Sequence, residues 1–240
     1  MFVRFSGIAF LVTASFFLIS PCSSKAADYP IITFEYADLY DRFCADVTKK
    51  TIEPGAVEEL QNRLKSFREH WRKEAPQLFR TVVKLTKAQF AFGEAKAALS
   101  LCNPGSLSFP LIINMRHYLK AINGEKAKPL ENFAATVFHE TLHRYVNERK
   151  ELLPGKTTPL LMKYQNEPAR VRNHLHLFAI LDEVYRMLRR QKDLGAIIAS
   201  DNTSTDAPIF KRAREIIALE GRENVICEIS KNGCSRTERR

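Results

Sequence analysis

His139, Glu140 and His143 form the spacing H-E-x-x-H, which on an α-helix makes a zinc site that contains its own general base. Four residues are about one helical turn, so both imidazoles lie on the same face and can bind one ion. Glu140 then lies where it can accept a proton from the attacking water. The spacing therefore predicts metal-dependent hydrolysis, with His139 and His143 as ligands and Glu140 as the catalytic base.

The segment from Pro129 to Arg149 is the predicted helix for this motif. Pro129 suits a first helical position, and apolar residues recur after it at three- and four-residue steps. His139 and His143 fall on a polar line beside this apolar stripe. The alternative is an exposed helix with two surface histidines and an acid. The stripe consists of Leu130, Phe133, Ala134, Val137, Phe138, Leu142, Tyr145 and Val146.

A third metal ligand must come from another segment, because a catalytic zinc ion takes three protein ligands and leaves one position open. Glu148 and Glu151 belong to the same helix or its end, which points away from the ion. A second long helix is predicted from Pro168 to about Gln191. The candidate ligands on this helix are His174, His176, Asp182 and Glu183, and Glu167 directly precedes it.

Asn166 and Glu167 follow the first motif and open this second helix. An H-E-x-x-H motif followed by an Asn-Glu pair on a second helix resembles the gluzincin type of zincin-like zinc metallopeptidases. The resemblance covers these short motifs and departs from the pattern at Pro168, which places Glu167 at the helix edge, and at Val171, where many gluzincins have an acid. It implies a zincin-like fold, hydrolysis of peptide bonds and one Zn²⁺ ion with Glu167 as third ligand.

His174 and His176 are the alternative third ligands. His174 lies seven residues after Glu167, close to two helical turns, and is therefore on the same side. It is either a ligand or, by the same resemblance, a donor to the oxyanion of the tetrahedral intermediate. His176 points about 200° away from His174, so only one of the two can face the ion. We expect His176 to be a core histidine bonded to an acid.

Three functions follow from these residues. The first is a zinc-dependent metallopeptidase acting on a peptide or protein substrate. The second is a non-catalytic, metal-stabilised protein that binds the cell envelope, and the third is a zinc amidase acting on a non-peptide envelope amide. Glu140 favours an enzyme, because a non-catalytic metal site needs the histidines but not the acid between them.

The N-terminal residues predict a secretory signal peptide. The only charge between Met1 and Ser20 is Arg4, and an apolar stretch follows it up to Pro21. Small residues then continue to Ala27, which fits cleavage after Ala26 and a secreted or periplasmic location. Residues 27–240 are expected to form a single zincin-like domain with a basic C-terminal tail.

Four cysteines follow the predicted signal peptide, an even set in a compartment that permits disulfides. Cys227 and Cys234 flank a predicted turn at Lys231-Asn232-Gly233, so we expect them to pair, which leaves Cys44 to pair with Cys102. The alternative is zinc binding by the four cysteines, although no C-x-x-C spacing supports it.

The chain is basic, with a formal net charge of +10 at pH 7. Removal of the signal peptide takes away Arg4 and Lys25 and no acids, which leaves +8. Such a surface fits an anionic envelope or membrane partner, or a merely soluble cationic protein. No base-reading motif is present, so nucleic acid is not an expected partner, and the oligomeric state is not indicated.

The predicted fold is α+β and helix-dominated: a small sheet, with the H-E-x-x-H helix packed near the second long helix. Strands are expected at Tyr29–Tyr36, Thr81–Leu85 and Leu107–Met115. Pro110 favours an edge position for the last strand, where an extended peptide could pair with it. Further helices are expected at Pro54–Trp71, at Thr158–Gln165 and, with Asp206 as N-cap, at Ala207–Leu219.

Overall fold

The structure is a computed structural model that describes residues 29–103, 105–231 and 233–234. The predicted signal peptide, residues 1–26, lies outside these described residues. Within them, none of the helices combines the length and the apolar character needed to cross a bilayer. The fold is α+β and helix-dominated, as predicted.

A mixed four-stranded sheet forms one layer of the described residues, in the spatial order β1-β2-β4-β3. Strands β1, β2 and β4 are parallel, with Phe34 opposite Ala97 and Ala98 opposite Ile112. Strand β3 is antiparallel to β4 and lies at one edge. The strands are β1 (Ile31–Tyr36), β2 (Glu94–Ser100), β3 (Leu107–Ser108) and β4 (Leu111–Asn114).

Helices pack on this sheet and on one another, and α4 lies between α2, α6 and the β3–β4 hairpin. In the core, the ring of Phe133 on α4 lies 4.8 Å from Phe67 on α2 and 5.4 Å from Phe34 on β1. The helices are α1 (Asp38–Thr48), α2 (Pro54–Thr86), α3 (Lys120–Asn123), α4 (Leu130–Glu151), α5 (Pro159–Lys163), α6 (Ala169–Met187), α7 (Gln191–Asn202), α8 (Ala207–Glu220) and α9 (Arg222–Cys227).

Two of the predicted strands need correction. Thr81–Leu85 is not a strand but the last part of α2, which continues beyond Trp71 to Thr86. Leu78, Phe79 and Val82 are fully buried at helical spacing, and this packing outweighs the strand preference of the β-branched residues. Leu107–Met115 is divided by a turn at Phe109-Pro110, so that β3 is the edge strand and β4 an inner one.

Both predicted disulfides are present: Cys44 pairs with Cys102, and Cys227 with Cys234. The first joins α1 to the end of β2, next to the fully buried carboxylate of Asp41. That carboxylate accepts hydrogen bonds from the backbone N–H of Leu101, at 2.6 Å, and from the Ser100 hydroxyl. Two disulfides are typical of proteins from an oxidising compartment.

Candidate metal centre

Helix α4 places His139 and His143 on one side, with their ring centroids 4.9 Å apart. The helix begins at Leu130, one residue after the predicted start at Pro129, and its apolar stripe is buried against α2 and α6. Both histidines flank that stripe and are partly buried. The spacing of the motif therefore places the two expected ligands close enough to bind one ion.

Helix α6 brings a third imidazole to this pair. The ring of His174 lies 5.2 Å from that of His139 and 4.7 Å from that of His143. Ligand nitrogens of the three residues all lie within 4.8 Å of one another. Because α4 and α6 pack together, residues far apart in sequence form one cluster that is close enough to bind a metal ion.

Glu167, the expected third ligand, is not part of this cluster. It immediately precedes Pro168, so it lies just outside α6, which begins at Ala169. Its carboxylate forms an ion pair with Arg212 on α8, whose Nε donates to Oε1 at 2.9 Å. The chain thus directs Glu167 to a cation on a neighbouring helix, while His174, two turns further along, faces the two histidines of α4.

His176 points to the other side of α6, as its spacing from His174 predicts. Only 1% of the side chain is exposed. Its Nε2 lies 3.0 Å from Oε2 of Glu228 and 3.5 Å from Oγ1 of Thr158. It is therefore the core histidine bonded to an acid that we expected, and it is outside the cluster.

The hydrogen bonding and burial of the three imidazoles suit metal binding. Nδ1 of His174 donates to the carbonyl of Arg170 at 2.7 Å, which leaves Nε2 as the ligand atom. Burial lowers the pKa of all three, that of His143 to about 3, and the neighbouring histidines lower the pKa of His139 and His143 further. The rings are therefore neutral at pH 7, the form that binds metal.

Glu140 lies between α4 and the edge of the sheet, with 9% of the residue exposed. Its Oε2 accepts a hydrogen bond of 2.6 Å from the Ser108 hydroxyl on β3. Burial raises the pKa of the carboxyl to about 7, while the bond from Ser108 opposes that rise. A carboxyl that titrates near neutrality can both accept and return a proton, which a general base requires.

Two phenylalanines form an aromatic wall on another side of the cluster. The ring of Phe178 lies 5.0 Å from His174, and that of Phe210 lies 4.9 Å from it. Sequence reasoning missed both, as it missed Ser108. Phe178 could have been found, because it lies one helical turn after His174. Phe210 comes from α8, and no local pattern connects it with the motif.

The residues fit a bound metal ion without specifying which one. Three neutral imidazoles suit zinc, copper, iron or nickel. Within the described part of the chain no fourth histidine, cysteine or acid joins the group, which corresponds to a site with an open coordination position. Comparison of the chain with protein-family models, with curated proteins and with solved structures gives no significant match.

Proposed function

We propose that the protein is a secreted or periplasmic zinc-dependent metallopeptidase with a zincin-like fold, in which His139, His143 and His174 bind one Zn²⁺ ion. The observation on which the proposal rests is the third imidazole, from α6, beside the H-E-x-x-H pair of α4. A structural zinc site has four protein ligands, whereas three ligands leave a position for the reaction. The nearby carboxyl of Glu140 favours catalysis over a purely structural metal.

The proposed reaction is hydrolysis of an amide bond. When bound, zinc lowers the pKa of water toward neutrality and polarises the scissile carbonyl. Glu140 accepts the proton of the attacking water and then transfers it to the leaving amine. Ser108 bonds to Oε2 of Glu140, which fixes the carboxyl and leaves Oε1 for the water. In this proposal His174 is a ligand rather than an oxyanion donor.

The position of the sheet supports the zincin-like assignment. Strand β3 is the antiparallel edge strand, and Ser108 of this strand contacts the proposed base directly. An extended peptide that pairs with the free side of β3 would pass beside Glu140. The two disulfides and the predicted signal peptide support a location outside the cytoplasm.

The test measures zinc and hydrolysis in the same preparations. We expect the purified chain, after zinc-replete expression, to contain about one zinc ion and to cleave peptides from a mixed library. Glu140→Gln should retain the zinc and lose cleavage by about 10²- to 10⁴-fold, because the proton acceptor is removed. Removal of zinc with a chelator should abolish cleavage, and added zinc should restore it.

Three outcomes would decide against the proposal. A zinc content well below one per chain would exclude the site, and unchanged hydrolysis by zinc-loaded Glu140→Gln would exclude the mechanism. Cleavage of non-peptide amides without any peptide cleavage would identify the protein as an amidase instead.

A further inference from the structure

A cavity of about 150 Å³ lies next to Glu140, between α4 and the sheet. Glu140 forms part of its wall, so a substrate whose scissile bond lies at the base can place a neighbouring group inside. The walls are mainly apolar and come from Ile32, Phe92, Ala95 and Leu111. An apolar cavity of about this volume can hold a group as large as benzene, so a short amino-acid side chain fits.

Arg144 is the main charged residue of this cavity. It lies one helical turn after Glu140 and therefore on the same face of α4. Its guanidinium lies 3.9 Å from the centre of the Phe92 ring, and its Nε donates to Glu148 at 3.0 Å. These two contacts hold the group in place and leave its terminal nitrogens for an acceptor in the cavity.

Lys96 on β2 also lines the cavity and carries a second positive charge. It is exposed on β2 and forms no ion pair with a described residue. Of the described residues that line the cavity, Glu140 is the only acid. The ion pair of Arg144 with Glu148 uses its Nε, so its terminal nitrogens can bind a carboxylate whose short hydrocarbon stem contacts the apolar walls.

We propose that this cavity, the anion pocket, binds a carboxylate of the substrate next to the scissile bond, so that the enzyme selects acidic peptides. Arg144 is the specificity-determining residue, and Lys96 strengthens the positive potential. This inference rests on the proposed peptidase function. The carboxylate belongs either to a Glu or Asp side chain or to a free C-terminus, because both present the same chemistry to Arg144.

The test compares peptides that differ only by Glu or Gln, or by Asp or Asn, on either side of the scissile bond, each with a free or an amidated C-terminus. We expect kcat/KM to be about tenfold higher for the carboxylate-bearing peptide of each pair, because a charge-assisted hydrogen bond contributes about that much. Arg144→Gln should bring this ratio close to one. Because the ratio is measured within one variant, it does not depend on the folded fraction.

Two further variants strengthen the comparison. Lys96→Gln, on the surface, should lower the ratio by a smaller factor, about two- to threefold. Lys73→Gln is its matched control, since Lys73 is an exposed lysine of α2 outside the cavity lining, and the ratio should stay unchanged. Arg144→Glu should reverse the preference, so that a Lys peptide becomes better than its Gln counterpart.

The outcomes separate this inference from the proposed function. If the wild-type chain cleaves no peptide, the peptidase proposal fails; titration of Glu140→Gln with the Glu and Gln peptides then tests the pocket by binding alone. If peptides are cleaved but the ratio of kcat/KM for the Glu and Gln peptides is near one, or is unaffected by Arg144→Gln, the proposal of an anion pocket is wrong. A preference found only with free C-termini identifies the terminal carboxylate as its ligand.

Discussion

At the scale of the residue, the chemistry of the proposed site depends on whether its third metal ligand is His174 or Glu167. Both lie near the start of α6, and spacing alone puts them on the same side of that helix. In the structure His174 meets the histidines of α4, whereas Glu167 pairs with Arg212. A neutral imidazole also adds no charge, so the proposed site would keep the full 2+ charge of the ion to act on the substrate.

We expect His174→Ala to weaken zinc binding by more than about 100-fold, because a ligand contributes more than the outer partners that typically account for 10- to 100-fold. Glu167→Gln is the control, since it removes the other candidate and its ion pair but should leave zinc affinity within a few-fold. Competition with a chromophoric zinc chelator measures both. Loss of zinc in Glu167→Gln, with retention in His174→Ala, would contradict the ligand set.

The sequence predicts that His139 and His143 lie together because the helical period alone fixes their relative positions. It left open whether His174 or Glu167 joins them, because that depends on how α6 is rotated against α4 and on the ion pair of Glu167 with Arg212 of α8. The gluzincin pattern favours Glu167 because it records the order of residues and not the ion pair that Glu167 forms with Arg212.

At the scale of the element, α8 covers the site and is held there by a buried ion-pair group. Arg214 on α8 donates to Asp201 of α7 at 2.9 Å and lies 3.6 Å from the carboxylate of Asp182 on α6. Its guanidinium also lies 4.0 Å from the centre of the Phe178 ring, which in turn contacts His174. One residue therefore ties three helices together next to the histidine cluster.

Arg214→Met should lower the free energy of unfolding by about 3 kcal/mol at pH 7, because it leaves the largely buried carboxylates of Asp182 and Asp201 without their ion-pair partner. Burial raises the pKa of both acids and Arg214 lowers it, so the variant raises their folded pKa further. The native variant then binds more protons than the unfolded chain, and its loss of stability should shrink as the pH falls toward 5.

Urea unfolding at pH 7 and pH 5 measures this effect. Arg212→Met is the matched control on the same helix, because its pair with Glu167 is partly exposed to solvent and should contribute much less to stability. Arg214→Met combined with Asp182→Asn and Asp201→Asn should recover much of the loss. A loss in Arg214→Met that is equal at both pH values would show that packing rather than charge is responsible.

Helices and strands were predicted well where the spacing of their own apolar residues determines the structure. They were predicted poorly where packing against neighbouring elements determines it. Helix α4 was predicted within two residues of its observed ends, since Pro129 and a continuous apolar stripe define it. Strand β2 was not predicted, because its sequence EAKAALS lacks β-branched residues and becomes a strand only between β1 and β4. Thr81–Leu85 shows the converse, a strand-like sequence that packs as helix.

At the scale of the whole molecule, the two disulfides lie in different regions and close loops of very different length. Cys44–Cys102 spans 58 residues and links α1 to the sheet, whereas Cys227–Cys234 spans 7 residues after α9. Neither lies among the cluster residues. Both pairings were predictable because four of the five cysteines follow the predicted signal peptide and two of these four flank a short predicted turn.

Replacing Cys44 and Cys102 with Ser should cost about 4 kcal/mol of stability, and replacing Cys227 and Cys234 about 2 kcal/mol, because a longer closed loop restricts the unfolded chain more. The two double variants control for each other, since each removes one disulfide. Guanidinium unfolding of the metal-free chain measures both costs without a contribution from zinc. Equal costs, or a larger one for the short loop, would mean that native contacts around the disulfides, and not loop entropy, determine their contribution.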